Sequence, residues 1–219
     1  MPGGPPPQCS ESGNHEGHQN SPLTLGVGLG SLSSTLSFDG SHEVDIEMNT
    51  SSLSGAWRLN DKWSLRGGLG IIRDGKLTPR GRITHNVLSG GMVAVGAEYL
   101  WQQGENAKPY IDFSVFISAS SAEVENPITA ETTSYLSSDL RLGGRASWII
   151  KDKIFPYVTA RVFAGPVSWE LDGIDIIGSD IHHYQIALGS AIQFGKIGTF
   201  VEWAGLGENA LSVGMSYAW

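Results

Sequence analysis

Eight charged residues interrupt segments that are otherwise small or apolar: Arg66, Glu98, Asp112, Asp139, Arg141, Arg145, Arg161 and Glu202. Each falls in the small-residue phase of a stretch whose alternate positions are large and apolar. Four guanidiniums facing four carboxylates in one enclosed space have two chemical uses. They can fill that space as ion pairs, because buried charges must be paired, or line a narrow pore and set its ion preference. Glu98 and Asp112 lie on adjacent segments across a short turn, and a carboxylate pair is a minimum for acid–base work. The nearby arginines are expected to neutralise them instead. His182 and His183, with Asp175 and Asp180 close by, form a second polar cluster at a segment end. By phase only His183 points inward, and no Ser–His–acid spacing accompanies the pair, so a hydrolase lacks its geometry. Cys9, His15 and His18 offer donors for a soft metal, but their spacing matches no common site and reads as a polar tail. No catalytic residue, metal site or cofactor is assigned, and no enzyme activity is expected.

The composition says what must position these groups. Charged residues make up 16% of the 219 positions, against about 25% in an ordinary soluble domain. The 29 glycines and many Ser and Thr residues take their place. No stretch approaches the ~20 consecutive apolar residues of a membrane helix. The net charge of −8 excludes a general nucleic-acid binder, which would carry a basic stripe. One cysteine excludes an intramolecular disulfide and the four-Cys zinc patterns.

Residues 1–21 are rich in Pro, Gly, Ser, His and Asn and are expected to form a disordered polar arm. Met1 to Gln8 has neither a basic n-region nor an apolar h-region, so export requires a leader outside this sequence. From residue 22 to 219 the pattern is a period of two, the mark of strands with unlike faces. The last segment is the cleanest: Leu211, Val213, Met215, Tyr217 and Trp219 alternate with Ala210, Ser212, Gly214, Ser216 and Ala218. Similar alternation begins at Leu23, Trp63, Gly91, Ile111, Leu140, Val158 and Tyr184, with a short segment at 199–204. In residues 43–59 Val44, Ile46 and Met48 share one phase, and Leu53, Trp57 and Leu59 the other. A bulge near Thr50 to Ser52 accounts for this, as does a strand whose upper part projects beyond a membrane. Asn60 to Lys62, Gln103 to Lys108, Lys151 to Lys153 and Gly195 to Gly198 are predicted short turns. Arg73 to Asn86, Ala122 to Thr133 and Glu170 to Asp180 are predicted longer links on the opposite side, with tight links at Asp39 to Ser41 and Gly205 to Glu208. The result is an all-β, closed, antiparallel up-and-down barrel of about ten strands, with eight to twelve allowed.

A soluble barrel would carry Lys and Glu on its second face, whereas here that face is Gly, Ser, Ala and Thr. Small residues suit a crowded interior, so the bulky face points into lipid. Trp57, Trp63, Trp101, Tyr110, Trp148, Phe155, Phe194, Phe200 and Trp219 flank the short turns and predict an interfacial girdle. Phe38, Tyr135, Trp169, Tyr184 and Trp203 are candidates for the opposite one.

Ser212, Gly214, Tyr217 and Trp219 resemble the C-terminal signal of bacterial outer-membrane β-barrel proteins, with Trp where Phe is more usual. That resemblance implies residence in the outer membrane and recognition by the barrel-assembly machinery. The partners expected are the lipid bilayer and lipopolysaccharide, whose phosphates the basic group Arg73, Lys76, Arg80 and Arg82 suits. The acidic groups Glu123, Glu125, Glu131 and Glu170, Asp172, Asp175 read as solvated loops, and no protein partner is identified. The function expected first is a narrow, porin-like channel for small solutes. The alternatives are a filled structural or interaction barrel displaying its loops, and then a hydrolase active at the rim.

Overall fold

The computed structural model describes residues 22–39, 42–104, 108–151, 153–171 and 173–219. The alternation resolves into twelve strand segments: β1 (Leu23–Phe38), β2 (His42–Arg58), β3 (Trp63–Pro79), β4 (His85–Gln102), β5 (Tyr110–Glu125), β6 (Thr132–Ser147), β7 (Ile154–Ala164), β8 (Val167–Leu171), β9 (Ile174–Asp180), β10 (Tyr184–Phe194), β11 (Ile197–Gly207) and β12 (Asn209–Ala218). Near the chain ends these make ten antiparallel staves, β1 to β7 followed by β10, β11 and β12. β1 closes the ring on β12 from Thr24 opposite Ala218 to Ser33 opposite Asn209.

At the far end the ring changes. The β11–β12 hairpin stops at Glu208, and β9 crosses above its tip to pair with β1, Leu36 opposite Asp180 and Phe38 opposite Gly178. β8 continues along β6, Tyr135 opposite Trp169. The upper ring therefore has eight staves, β1 to β6, β8 and β9. Local sequence permits the step. Pro166 has no N–H to give to a ladder, and Gly165 lies so close to β6 that a Cβ there would stand 1.8 Å from the Ser138 carbonyl. On the neighbouring stave His183 takes a left-handed backbone, φ 48°.

The two storeys have opposite insides. Up the outer face of β1, Leu25, Val27 and Leu29 give way to Ser31, Ser33 and Thr35; up β2, Trp57 and Leu53 give way to Asn49, Glu47 and Asp45. The lipid belt ends at that level. Above it the interior is one apolar cluster that includes Leu36, Val44, Ile46, Leu77, Val124 and Tyr135, with Phe38 and Trp169 fully buried and 6.4 Å apart between ring centres. Below it the interior is Gly, Ser and Thr with charged residues.

Several sequence expectations are corrected by this arrangement. The segments 73–86, 122–133 and 170–180 are not long loops; strands fill most of the first and third and half of the second, and their backbone pairs continue above the belt. The irregularity of 43–59 is not a bulge in β2, whose even-numbered residues face inward throughout. The extra residue is Arg73 on β3, between the pairs Asn49–Asp74 and Thr50–Ile72, and β2 projects above the membrane. Phe38, Tyr135 and Trp169 form no outer girdle, because they pack inside the upper storey. Tyr110, Phe155 and Phe200 also turn inward, leaving Trp57, Trp63, Trp101, Trp148, Phe194 and Trp219 at the short-turn interface. Trp63 there packs on Tyr99 at 4.9 Å, and Tyr217 on Trp219 at 5.4 Å.

Candidate functional site

The lumen of the lower storey is built by phase. Even-numbered residues of β1, β2, β5, β11, β12 and the lower parts of β3 and β4 point inward, as do odd-numbered residues of β6, β7 and β10. All eight charged residues singled out by the alternation are therefore brought into one interior. They form two chains. In the first, Glu98 joins Arg66 and, at 3.5 Å, Arg145, whose Nε donates to Asp112 at 2.9 Å. The carboxylate pair Glu98–Asp112 is thus neutralised by arginine. In the second, Arg161 grips Glu202 in a bidentate fork at 2.9 and 3.1 Å and donates to Gln185 Oε1 at 2.6 Å. Gln185 Nε2 donates to Glu208 at 3.0 Å, and Glu208 accepts a second fork from Arg141 at 3.1 and 3.3 Å. Asp139 lies 3.6 Å from Arg141, whose guanidinium sits 4.3 Å above the Phe163 ring.

The alternation does not single out Glu208 or the neutral Gln185 as site residues. Gln185 shows in the phase of β10. Glu208 is a hairpin tip, and nothing in its neighbourhood says that the tip folds under a crossing strand. With Glu208 the lumen holds four guanidiniums against five carboxylates.

These groups occupy one wall. The other, from β12 through β1 and β2, presents Ser212, Gly28, Gly30, Ser52 and Ser54. Between the walls lies a cavity of about 100 Å3, bordered also by the Thr159 hydroxyl. A second cavity, of about 70 Å3, sits above it, and both are bordered by Thr50, Met92, Asp139 and Arg141. Aromatics fill part of the lower lumen by lying over cross-strand glycines: Phe116 over Gly96, Tyr157 over Gly189 and Phe200 over Gly214. A Cβ at Gly214 would come 2.4 Å from the Phe200 ring, so packing requires a glycine here.

The match to known structures follows the same lines. The chain superposes on the translocator domain of autotransporter NalP from Neisseria meningitidis with a TM-score of 0.52 at 11% identity, covering 93% of this chain and 90% of that one. The fold is that of a bacterial outer-membrane β-barrel. The transport unit of autotransporter AIDA-I from Escherichia coli (TM-score 0.46, 14% identity, 93% and 92% coverage) is also similar. So is outer membrane protein OprG from Pseudomonas aeruginosa (TM-score 0.46, 9% identity, 93% and 98% coverage). No protein-family model and no curated protein sequence matches the chain.

The remaining candidates disperse. In this barrel the Ser34 hydroxyl donates to Asp180, and Asp180 accepts from the backbone N–H of His182 at 2.8 Å. The serine thus bonds the acid and not an imidazole, which is no nucleophile–base arrangement. His183 borders the upper cavity, and Asp175 lies exposed on β9. Cys9, His15 and His18 fall outside the described residues. Among those described, no group of His, Cys, Asp and Glu is arranged to hold a metal ion. Arg80 pairs with Glu43 at 2.6 Å above the belt, and Lys76 stands exposed on β3.

Proposed function

We propose that this barrel is a narrow passage for small polar solutes, closed along its axis in the conformation described. The observation that carries this reading is the stacking of two cavities that share Thr50, Met92, Asp139 and Arg141 as lining. An interior built only to be filled is expected to reach close packing, yet here one cavity remains on each side of Arg141. Four guanidiniums and five carboxylates favour neither ion sign strongly, so the lining suits water and small neutral or zwitterionic solutes. Arg141 is the natural constriction, since both cavities border it.

The apolar core of the upper storey favours a second reading, a filled barrel that displays its outer storey as an interaction surface. In either case Arg73, Lys76 and Arg80 would meet lipopolysaccharide phosphates just above the belt. Ser212, Gly214, Tyr217 and Trp219 would be the segment read by the assembly machinery.

Planar-bilayer recording separates the two. The passage predicts small conductance steps that Arg141→Ala and Arg145→Ala alter. A wild-type barrel that inserts, shows heat-modifiable gel migration and stays silent would leave the display reading standing.

A further inference from the structure

If solute crosses this barrel, the apolar core of the upper storey bars the axial way out, and the wall itself offers another. β7 pairs with β10 up to Val162 opposite Tyr184, and the Phe163 N–H reaches the His183 carbonyl at 2.9 Å. Pairing between the same two staves resumes only at Val167 opposite Gly178. Among the described residues no ladder pair joins 164–166 to 179–182. Each side is instead committed elsewhere: the Pro166 carbonyl accepts from Ser138 N–H on β6 at 3.1 Å, and the Ile181 N–H donates to Thr35 on β1 at 3.1 Å. Pro166 and the left-handed His183 build the gap into the chain.

The upper cavity lies behind this gap. Ala164, Gly165 and His183 at the gap border it, as do Met92, Asp139 and Arg141, which border the lower lumen too. Below the gap, Val162 and Tyr184 stand exposed on the outer face; beside it β1 already presents Ser33 and Thr35 outward, while exposed Ile181 lies in the gap and Ile177 above it. The opening therefore lies where hydrocarbon gives way to headgroups and water. We infer that the gap between Ala164–Pro166 and Ser179–His182 is a lateral window, through which water and small polar solutes pass between the headgroup layer and the lumen. This rests on the passage reading for its transport role, but access through the window is measurable by itself.

The test uses the full chain with Cys9→Ser and Ser137→Cys, which places a thiol in the upper cavity, reconstituted in lipid vesicles. A charged, membrane-impermeant methanethiosulfonate should label it. Adding Ala164→Trp at the window should slow labelling by about tenfold or more, the factor that ~1.4 kcal/mol of barrier represents. Opening the axial roof with Trp169→Ala should restore labelling in the blocked protein. A Ser137→Cys thiol that does not label, or labels equally fast with and without Ala164→Trp, overturns the window. Conductance then separates the two ideas. Steps that persist unchanged in Ala164→Trp retain the passage and overturn the window as its mouth. A silent barrel whose Ser137→Cys labels through the window overturns the passage and leaves the window as the door to a closed cavity.

Discussion

The lower and upper storeys share strands, yet their interiors are chemically opposite. β1, β2, β5 and β6 run through both in a single inward phase: Gly28 and Leu36, Ser54 and Ile46, Ser114 and Val124, Arg145 and Tyr135. β3 and β4 change phase by one bulge residue each, Arg73 and Leu88. What differs is the solvent outside. Against hydrocarbon, bulky apolar residues belong on the exterior, and the interior holds what can be ion-paired or kept small. Against water the hydrophobic effect runs the other way, and the same strand buries Val, Ile, Phe and Trp. Geometry follows chemistry at the boundary, where ten staves become eight and the narrower ring can be filled by side chains alone.

The contrast can be broken most strongly from above. Trp169→Ala removes the largest fully buried side chain of the upper storey, and a cost of about 3–5 kcal/mol is expected. Limited proteolysis should then nick β8 and β9 while the lower barrel keeps its heat-modifiable migration. Simultaneous loss of both would show that the storeys melt as one unit. A matched pair on β2 sharpens the solvent argument: Leu53→Lys, within the lipid belt, should cost about 2–4 kcal/mol. Glu47→Lys, on the same outward phase above the belt, should stay within about 0.5 kcal/mol. Equal effects in a urea titration in lipid would place the boundary wrongly. The smallest effect probes lumen packing. Gly214→Ala, whose Cβ would meet Phe200 and the Val27 carbonyl, should cost about 1–3 kcal/mol. Gly91→Ala, with open space around its Cβ, should cost nothing measurable by the same titration.

Period-two alternation makes the lower storey legible in the sequence. It sorted Arg66, Glu98, Asp112, Asp139, Arg141, Arg145, Arg161 and Glu202 inward, and bulky residues such as Val27, Leu53 and Leu211 outward. It also held the correct answer for Phe155 and Phe200, which share the phase of Arg161 and Glu202. Their nearness to turns suggested a girdle, and the opposed glycines, such as Gly214 across from Phe200, carried the better signal. The upper storey was harder to see. Val44, Ile46 and Met48 sit in the phase opposite to Leu53 and Trp57, which suits either a bulge or a strand projecting beyond the membrane, and alternation alone does not choose between them. Glu208 was missed because a hairpin tip turns inward only when another strand passes over it.

By itself the sequence determined the ten strands at membrane level, their faces and the inward direction of eight charged side chains, because alternation is a local consequence of the pleat. Only the tertiary structure decided where the lipid belt stops, that β9 pairs with β1 above the β11–β12 hairpin, and which arginine meets which acid. Those depend on registers between strands distant in sequence, and on the tilt that brings Glu208 under β9 and beside Arg141. A two-residue period carries no record of either.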